Sequence, residues 1–471
     1  MRGVQANHHL TAWLFLVGAA MLVAPTATRA QPYPVPPTWG GDIYSRPRLT
    51  GDWGGLRDEI GEKGVVLDLD LLLTPQANMT GGRSTGGNLW GNVDYTLNID
   101  TQKLGLWPGG FLKFQGDTGF GSNIFKDSGA LVPVNTAALL PGVNDRTTAL
   151  MNATLTQFLS PQFAVFAGKI NTLDSAGTEF YGDYRTQFLN IGTSFPMVLE
   201  QVPISAFGGG ILAIPREDIL LSATVLDPIG TPDSNNLGKA FSQGVLVVGS
   251  GELTIKPFGL LGHQSIGVSW NNVDRFSLTQ DPTNLATLLL QQRFPRLANP
   301  GPTLEGILAQ SFPNLLVPAQ PPNHKSSSWA MTYAFDLYLW QPDGNPHHGI
   351  GVFFGFGASD GNPNPIKYSL LGGLGGKGVV PGRPDDTFGV AFARTQVSGA
   401  FLPFLRQQLN LGLQKEDALE MYYNIAVTPW LSVTADLQVV NPALKRATNE
   451  VGQLARVDTA VIAGARTRIR F

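Results

Sequence analysis

Twelve charged or amide side chains recur at alternate positions of otherwise apolar segments, and side chains of these types suit the binding of a hydroxyl-rich solute. They are Asp68, Asp70, Asp94, Asn98, Lys113, Gln115, Asp117, Lys169, Asp436, Gln438, Arg466 and Arg468. Carboxylate, amide and guanidinium groups are planar and can bridge a pair of hydroxyl groups, exchanging for water at little net cost. Several weak contacts of this kind favour flux, because a tight site would trap its solute. The plainer interpretation, which we prefer for most of the twelve, is that they only solvate a water-filled lumen.

The sequence gives little indication of an enzyme or a metal site. It contains no HExxH motif and no Walker loop. The glycine run at residues 372–376 lacks the strand–helix context of a nucleotide-binding loop and favours a turn. Six histidines occur without metal-ligand spacing, and cysteine is absent, which excludes thiol catalysis and zinc–thiolate sites. We therefore predict no catalytic residue, no metal and no cofactor.

The last fifteen residues, 457–471, indicate which kind of element positions these side chains. Arg466, Arg468 and Arg470 fall on one face of the segment, whereas Ile469 and Phe471 fall on the other. A period of two belongs to a β-strand whose faces meet different surroundings. Lipid outside and water inside, with an aromatic residue at the membrane edge, would produce this pattern. An edge strand of a soluble β domain fits these residues equally well, so the rest of the chain must decide.

Further strand-like segments repeat the alternation along the chain. They lie at residues 65–74, 92–100, 111–118, 262–272, 328–340 and 350–356. In the last of these, apolar side chains alternate with glycine, which predicts a bulky lipid face and a lumen face kept clear. Charged residues make up only 14% of the chain, and glycines number 56. This composition predicts many turns and little solvated helix surface.

The first thirty residues predict an export signal. Arg2 precedes a short apolar run at residues 13–24, and residues 28–30 (TRA) provide a small-x-small cleavage site. Beyond this segment no apolar run reaches eighteen residues, so the mature chain is predicted to be either soluble or a β-barrel. The absence of cysteine suits export through an oxidising periplasm.

Three regions follow from these patterns: a signal peptide at 1–30, an extended and partly helical segment at 31–64, and a barrel at 65–471. Thr50 or Asp52 is expected to cap a short helix that ends at Gly64. At roughly 25–30 residues per strand with its turn, the barrel region holds about 16 strands, enough to enclose an aqueous channel. A stretch at about 274–325 is too long for a hairpin and predicts an extracellular or pore-folded loop.

Two blocks of sequence resemble a known family. Residues 49–55 (LTGDWGG), followed by Arg57 and by Gly64-Val65, are similar to the N-terminal signature of the carbohydrate-selective porin (OprB) family. Residues 420–442 and the final RIRF at 468–471 resemble its closing strands. The resemblance extends from near residue 48 to the end of the sequence. It implies sixteen strands and sugar uptake through a constriction rich in basic residues, although no motif assigns those residues to particular positions here.

These observations together predict an all-β fold, a transmembrane antiparallel β-barrel in the outer membrane of a Gram-negative bacterium. Its function would be passive diffusion of monosaccharides or small oligosaccharides through a polar, charged constriction. Expected partners are neutral sugars, outer-membrane lipid and lipopolysaccharide, and the barrel-assembly machinery, which would bind the strand ending at Phe471. A net charge of −3 gives no reason to expect nucleic acid. An outer-membrane hydrolase or receptor barrel is the alternative, and a secreted soluble β protein is a third.

Deletion of Phe471 is expected to impair assembly far more than deletion of a loop residue such as Gly382. The predicted terminal strand ends in an aromatic side chain on the lipid face, the position that porins of this family use for insertion. The measurement is the yield of folded protein that resists SDS until it is heated, since a closed barrel has no edge from which to unravel. A normal folded yield without Phe471 would contradict the prediction.

Overall fold

A computed structural model describes residues 33, 35–142, 146–174, 178–233, 237–281, 320–342, 345–403, 406–407, 410–448 and 453–471, with isolated residues between 284 and 310. The predicted signal peptide and most of the long loop predicted at about 274–325 lie outside the described residues. Within the described part of the chain, no helix combines the length and the apolar character needed to cross a membrane.

Sixteen antiparallel strands form a closed barrel, in which each strand pairs with its neighbours in sequence and β16 pairs with β1. The strands are β1 Val65–Gly82, β2 Gly86–Asp100, β3 Gly110–Gly121, β4 Thr148–Ser160, β5 Phe163–Asn171, β6 Ser205–Arg216, β7 Ile219–Leu226, β8 Leu246–Ile255, β9 Gly262–Asn271, β10 Ser328–Trp340, β11 Gly349–Ser359, β12 Ile366–Lys377, β13 Thr387–Val397, β14 Lys415–Thr428, β15 Leu431–Asn441 and β16 Asp458–Arg470. The prediction of an all-β barrel of about 16 strands is confirmed. Closure leaves no strand with an unpaired edge.

Short elements lie before β1 and in the connections between strands. The helices are α1 Leu56–Glu62, α2 Phe125–Ser128 and α3 Ile191–Ser194, and 3₁₀ turns occupy Thr136–Leu139, Met197–Gln201, Leu237–Lys239 and Pro257–Gly259. There are also two small two-stranded sheets. One pairs Arg275–Phe276 with His324–Lys325, and the other pairs Arg446–Thr448 with Leu454–Arg456. The described barrel wall is therefore built from strands alone.

The two faces of the wall differ as the alternation predicts. On β3, Phe114 lies on the outer face with 38% of its surface exposed, whereas its neighbour Gln115 lies on the inner face and is 2% exposed. A register error of one residue would exchange these two faces along the whole strand. Inner polar side chains such as Gln115 are buried, although they point toward the lumen, because irregular segments of the chain fold into the barrel and cover them.

Two connections fold into the barrel in this way. The first inward loop joins β3 to β4 and is described at residues 122–142 and 146–147. The second inward loop joins β5 to β6 and is described at residues 172–174 and 178–204. They contact each other, because the main-chain N–H of Thr136 donates to the carbonyl of Leu189 at 2.7 Å and the N–H of Ile191 donates to that of Pro133 at 3.1 Å. The sequence analysis singled out neither loop, since neither has the period of a strand.

The N-terminal segment binds the junction between β1 and β16. Its α1 helix has Gly55 at the N-cap with no side-chain cap, so the expectation that Thr50 or Asp52 caps this helix is wrong. Gly55 has a φ of 93°, a conformation that glycine adopts without strain. Arg57, in α1, donates to the main-chain oxygens of Leu67 at 2.6 Å and of Phe471 at 3.0 Å. The guanidinium thereby connects the helix to the first and last strands of the barrel.

Single cysteines at positions 113 and 114 should report the two faces of β3 in a chain that has no native thiol. In Lys113→Cys the thiol faces water, so a charged, water-soluble thiol reagent should label it rapidly. In Phe114→Cys the thiol lies in lipid, remains protonated and should not react. Mass spectrometry of the labelled protein in membranes gives both rates. Equal labelling would mean that the strand is not two-faced, and faster labelling at position 114 would mean that the faces are assigned in reverse.

Candidate functional site: a charged constriction in the barrel

A cavity of about 420 Å³ lies between the second inward loop and the wall formed by β16, β1 and β2. Its lining is dominated by charge, with four arginines and five aspartates. These residues are Arg48, Arg185, Arg468, Arg470, Asp68, Asp70, Asp94, Asp174 and Asp183, and they are joined by Thr96, Leu173, Gly182 and Tyr184. The two signs are almost balanced, so the cavity attracts neither cations nor anions strongly.

Arg185 of the second inward loop organises one side of this cavity. Its guanidinium forms ion pairs with Asp94 on β2 and with Asp174 on the loop itself. Gln115 donates to both carboxylate oxygens of Asp94 at 3.1 Å and to Asp174 at 3.3 Å. Lys113 also pairs with Asp174. The shared donors fix the positions of both carboxylates, because each carboxylate accepts from at least two side chains.

The ion pairs also set the charge state of the loop carboxylate. Burial opposes ionisation of Asp174, but the positive charges of Lys113 and Arg185 outweigh it and hold the pKa of Asp174 below its ordinary value. Asp174 is therefore negative at neutral pH. The guanidinium of Arg185 also lies 4.5 Å from the centre of the Tyr184 ring, a cation–π contact that restricts its movement further.

The strands near the chain termini supply the other charges of the cavity. Arg468 on β16 donates to Asp70 on β1, with Nε at 2.8 Å from Oδ2. Arg48 of the N-terminal segment donates through Nε to Asp68 at 2.6 Å. Each pair places guanidinium N–H donors beside carboxylate acceptors, both at the surface of a cavity wide enough for water. Such a surface can exchange hydrogen bonds with a hydroxyl-bearing solute without a large change in net charge.

The second inward loop packs its aromatic side chains against glycines of the opposite wall. A Cβ atom at Gly351 on β11 would lie 2.4 Å from the Phe180 ring, and one at Gly389 on β13 would lie 2.6 Å from the Phe188 ring. Phe188 also packs edge-on against Tyr422 of β14, with ring centres 4.7 Å apart. The prediction that the glycines on the inner face of β11 keep the lumen clear is therefore wrong. They make room for the loop that narrows it.

The twelve residues singled out in the sequence fall into three groups. Asp68, Asp70, Asp94 and Arg468 line the cavity. Lys113 and Gln115 bind the carboxylates that line it. The other six are the buried or loop-bound residues Asn98, Asp117, Lys169, Asp436, Gln438 and Arg466.

Several of this last group bind irregular segments rather than line the cavity. Arg466 donates to the carbonyls of Tyr184 at 2.8 Å and Gln187 at 2.7 Å, and Gln438 donates to that of Val134 at 3.0 Å. Lys169 donates to the carbonyl of Pro232 at 2.6 Å. Their inward direction therefore serves the attachment of connecting segments.

Sequence reasoning missed the charged cavity residues that lie outside the strands, namely Arg48, Asp174, Asp183 and Arg185. These residues occupy irregular segments, where alternation carries no information about direction. The available signal was the pair of charged residues in the otherwise aromatic stretch 180–188 (FYGDYRTQF). Charge in such a stretch indicates a segment that packs on one side and meets water on the other.

One spacing relevant to the hydrolase alternative is present but has no catalytic surroundings. Residues 357–361 read GASDG, which fits G-x-S-x-G. A nucleophile of that type lies on a strand-to-helix turn, whereas Ser359 is the last residue of β11 and donates its hydroxyl to the carbonyl of Ile366. Within the described residues, no group of three histidine, aspartate or glutamate side chains is placed to hold a metal ion.

Comparison with known proteins gives a family and a fold. The sequence profile described as "Carbohydrate-selective porin, OprB family" matches residues 86–471. The chain is similar to the high-pH structure of Pseudomonas putida OprB, with a TM-score of 0.73 at 20% identity over 92% of this chain and all of that one. It also resembles the low-pH structure of that protein, with a TM-score of 0.53 at 14% identity over 91% of this chain and 99% of that one. No curated protein sequence matches the chain significantly.

Opposite changes to the Arg468–Asp70 pair should shift ion selectivity in opposite directions. Arg468→Gln leaves an excess of negative charge in the cavity and should raise the cation-to-anion permeability ratio roughly twofold, which corresponds to about 0.4 kcal/mol. Asp70→Asn should lower that ratio by a similar factor. Both substitutions break the same ion pair, so each controls for the loss of the contact itself. Reversal potentials in a potassium chloride gradient measure the ratio, and a shift in the same direction for both variants would contradict the assignment.

Proposed function

Because the chain belongs to the carbohydrate-selective porin (OprB) family, we propose that it lets monosaccharides and small oligosaccharides diffuse passively across the outer membrane of a Gram-negative bacterium. The outer-membrane porin assignment follows from the family together with the closed barrel of sixteen strands. Both the family and the fold are those of a channel rather than an enzyme. The proposal adds the size of the solutes and the place at which they make contact.

The observation that carries the proposal is the presence of adjacent donors and acceptors along one cavity. Arg468 beside Asp70, and Arg185 beside Asp94, each present N–H groups and carboxylate oxygens at neighbouring positions. Neighbouring hydroxyl groups of a sugar ring donate and accept at a similar spacing, so one pair can serve two hydroxyls. The near balance of four arginines and five aspartates favours solutes without net charge.

The aromatic content of the cavity supports short rather than long sugars. Tyr184 is the one aromatic residue among those that line it, and its ring is buried under the Arg185 guanidinium. A sugar in this cavity would therefore meet hydrogen-bonding groups and no exposed ring on which successive residues of a long chain could stack. Contacts of this kind are brief, and brief contacts permit rapid passage.

The remaining partners are proposed from the sequence. Residues 1–30 would direct export and be removed. The strand that ends at Phe471 would be bound by the barrel-assembly machinery, and the outer face would contact outer-membrane lipid and lipopolysaccharide. No observation among the described residues favours the hydrolase or receptor alternative.

Single-channel recording in planar bilayers tests the proposal. Addition of glucose or another neutral monosaccharide should lower the ionic current in a concentration-dependent manner, because sugar in the constriction displaces ions and water. A dextran too large to enter the barrel, at matched viscosity, is the control for bulk effects. If no neutral sugar lowers the current, the proposal is wrong and the protein is a general pore.

A further inference from the structure

We propose that Glu416 and Glu420 on β14 are positioning residues that set the width of the channel by binding the two inward loops through their main-chain N–H groups. The inference deepens the proposed function, since it identifies what keeps the constriction narrow. It depends on the barrel being a conducting channel and not on which solute passes.

Glu420 binds the second inward loop. It is 0% exposed, and its carboxylate accepts hydrogen bonds from the main-chain N–H groups of Leu189 at 2.6 Å and Asn190 at 3.3 Å. The hydroxyl of Thr193 donates to the same carboxylate. The two main-chain donors come just before α3, where the backbone is irregular and no strand or helix supplies a partner. The carboxylate therefore satisfies groups that would otherwise be buried without partners.

Glu416 binds the first inward loop four residues earlier on the same face of β14. Its carboxylate accepts from the N–H groups of Leu131 at 2.9 Å and Val132 at 2.8 Å. It also accepts from the N–H of Ala443 at 3.1 Å, in the connection between β15 and β16. One strand therefore carries two carboxylates, and each binds the backbone of a different inward loop.

A glutamate side chain suits this task because it carries two oxygens on one carbon. Each oxygen can accept from a main-chain N–H group, so one side chain can bind two neighbouring peptide groups. An unpaired buried N–H costs about 1–3 kcal/mol, so loss of the carboxylate leaves the loop backbone without partners unless it moves to water. The inside of the barrel provides that water. Removing either glutamate should therefore release a loop from the fixed position in which it narrows the lumen, and the open path should widen.

Displacement at Leu189 and Asn190 would reach the charged cavity. Arg185 lies four residues before Leu189 on the same loop and pairs there with Asp94 of the wall. Leu189 also accepts from the main chain and the hydroxyl of Thr136, so the two loops are connected at this point. The loop that Glu420 binds is therefore the loop that brings Arg185 into the lumen.

The barrel itself does not depend on these contacts. β14 pairs with β13 along ten residue pairs and with β15 along a similar length, all through main-chain hydrogen bonds. These ladders remain when a side chain on the inner face is shortened. Loss of the carboxylate is thus expected to change the channel while the wall remains closed.

The test compares Glu420→Ala and Glu416→Ala with the matched control Asn424→Ala. Asn424 lies on the same inner face of β14 and is 3% exposed, but it accepts its hydrogen bond from Thr434 on β15 rather than from a loop. Single-channel conductance and the size of poly(ethylene glycol) excluded from the pore are measured for each protein, and the SDS mobility shift on heating reports folding. The two glutamate variants should show at least a roughly twofold rise in conductance and admit larger polymers, because conductance grows with the open cross-section. The control should match the wild type.

Glu420→Gln keeps the side-chain length and one acceptor oxygen, so its conductance should lie between those of the wild type and Glu420→Ala. Folded Glu420→Ala with native conductance and polymer cut-off would overturn the proposal, as would equal widening in Asn424→Ala. If Glu420→Ala does not fold, the conductances of Glu420→Gln and Thr193→Val are measured instead. Native conductance in both variants would overturn the proposal. Polymer sizing involves no sugar, so a wild-type channel indifferent to sugars would sink the proposed function while leaving this inference intact.

Discussion

When an irregular loop lies inside a barrel, its main-chain N–H and carbonyl groups must find hydrogen-bond partners. In this protein, side chains on the inner face of the wall provide many of those partners. In the second inward loop, the N–H groups and the carbonyl groups are bound by different side chains. Its N–H groups at Leu189 and Asn190 meet the carboxylate of Glu420, whereas its carbonyls at Tyr184 and Gln187 meet the guanidinium of Arg466. Glu420 on β14 and Arg466 on β16, two strands separated by β15, thus replace the ladder of main-chain hydrogen bonds that the loop lacks.

The neighbouring strands β11 and β13 support the same loop by shape. Phe180 and Phe188 fill the space above glycines of β11 and β13, where any side chain larger than hydrogen would collide with a ring. Interiors packed this closely tolerate neither added nor removed volume at low cost. Hydrogen bonds from β14 and β16 and packing against β11 and β13 therefore fix the loop along the part of the wall from β11 to β16. This explains how a segment without strand structure can hold charged side chains at defined positions.

The period of two identifies the wall because it recurs along strands such as β10 and β11, and it places Asp94 and Arg468 on the inner face. It cannot say what covers an inner residue, and so Arg466 and Arg468 look alike in the sequence although the first binds a loop and the second lines a cavity. Arg185 escapes altogether, since its direction is set by the packing of a loop against distant strands. Long-range contacts of this kind leave no local pattern in the sequence.

On two strands, an inner residue that binds the backbone of a loop is followed directly by an inner residue that lines the cavity. On β2, Asn92 donates to a carbonyl of the first inward loop, and Asp94 lines the cavity; on β16, Arg466 binds the second inward loop, and Arg468 lines the cavity. Both strands pair antiparallel with β1 and so run in the same direction, which places the two changes on the same side of the loops. Successive inward residues of a strand are about 7 Å apart. The charged groups therefore begin directly beside the loops that narrow the lumen.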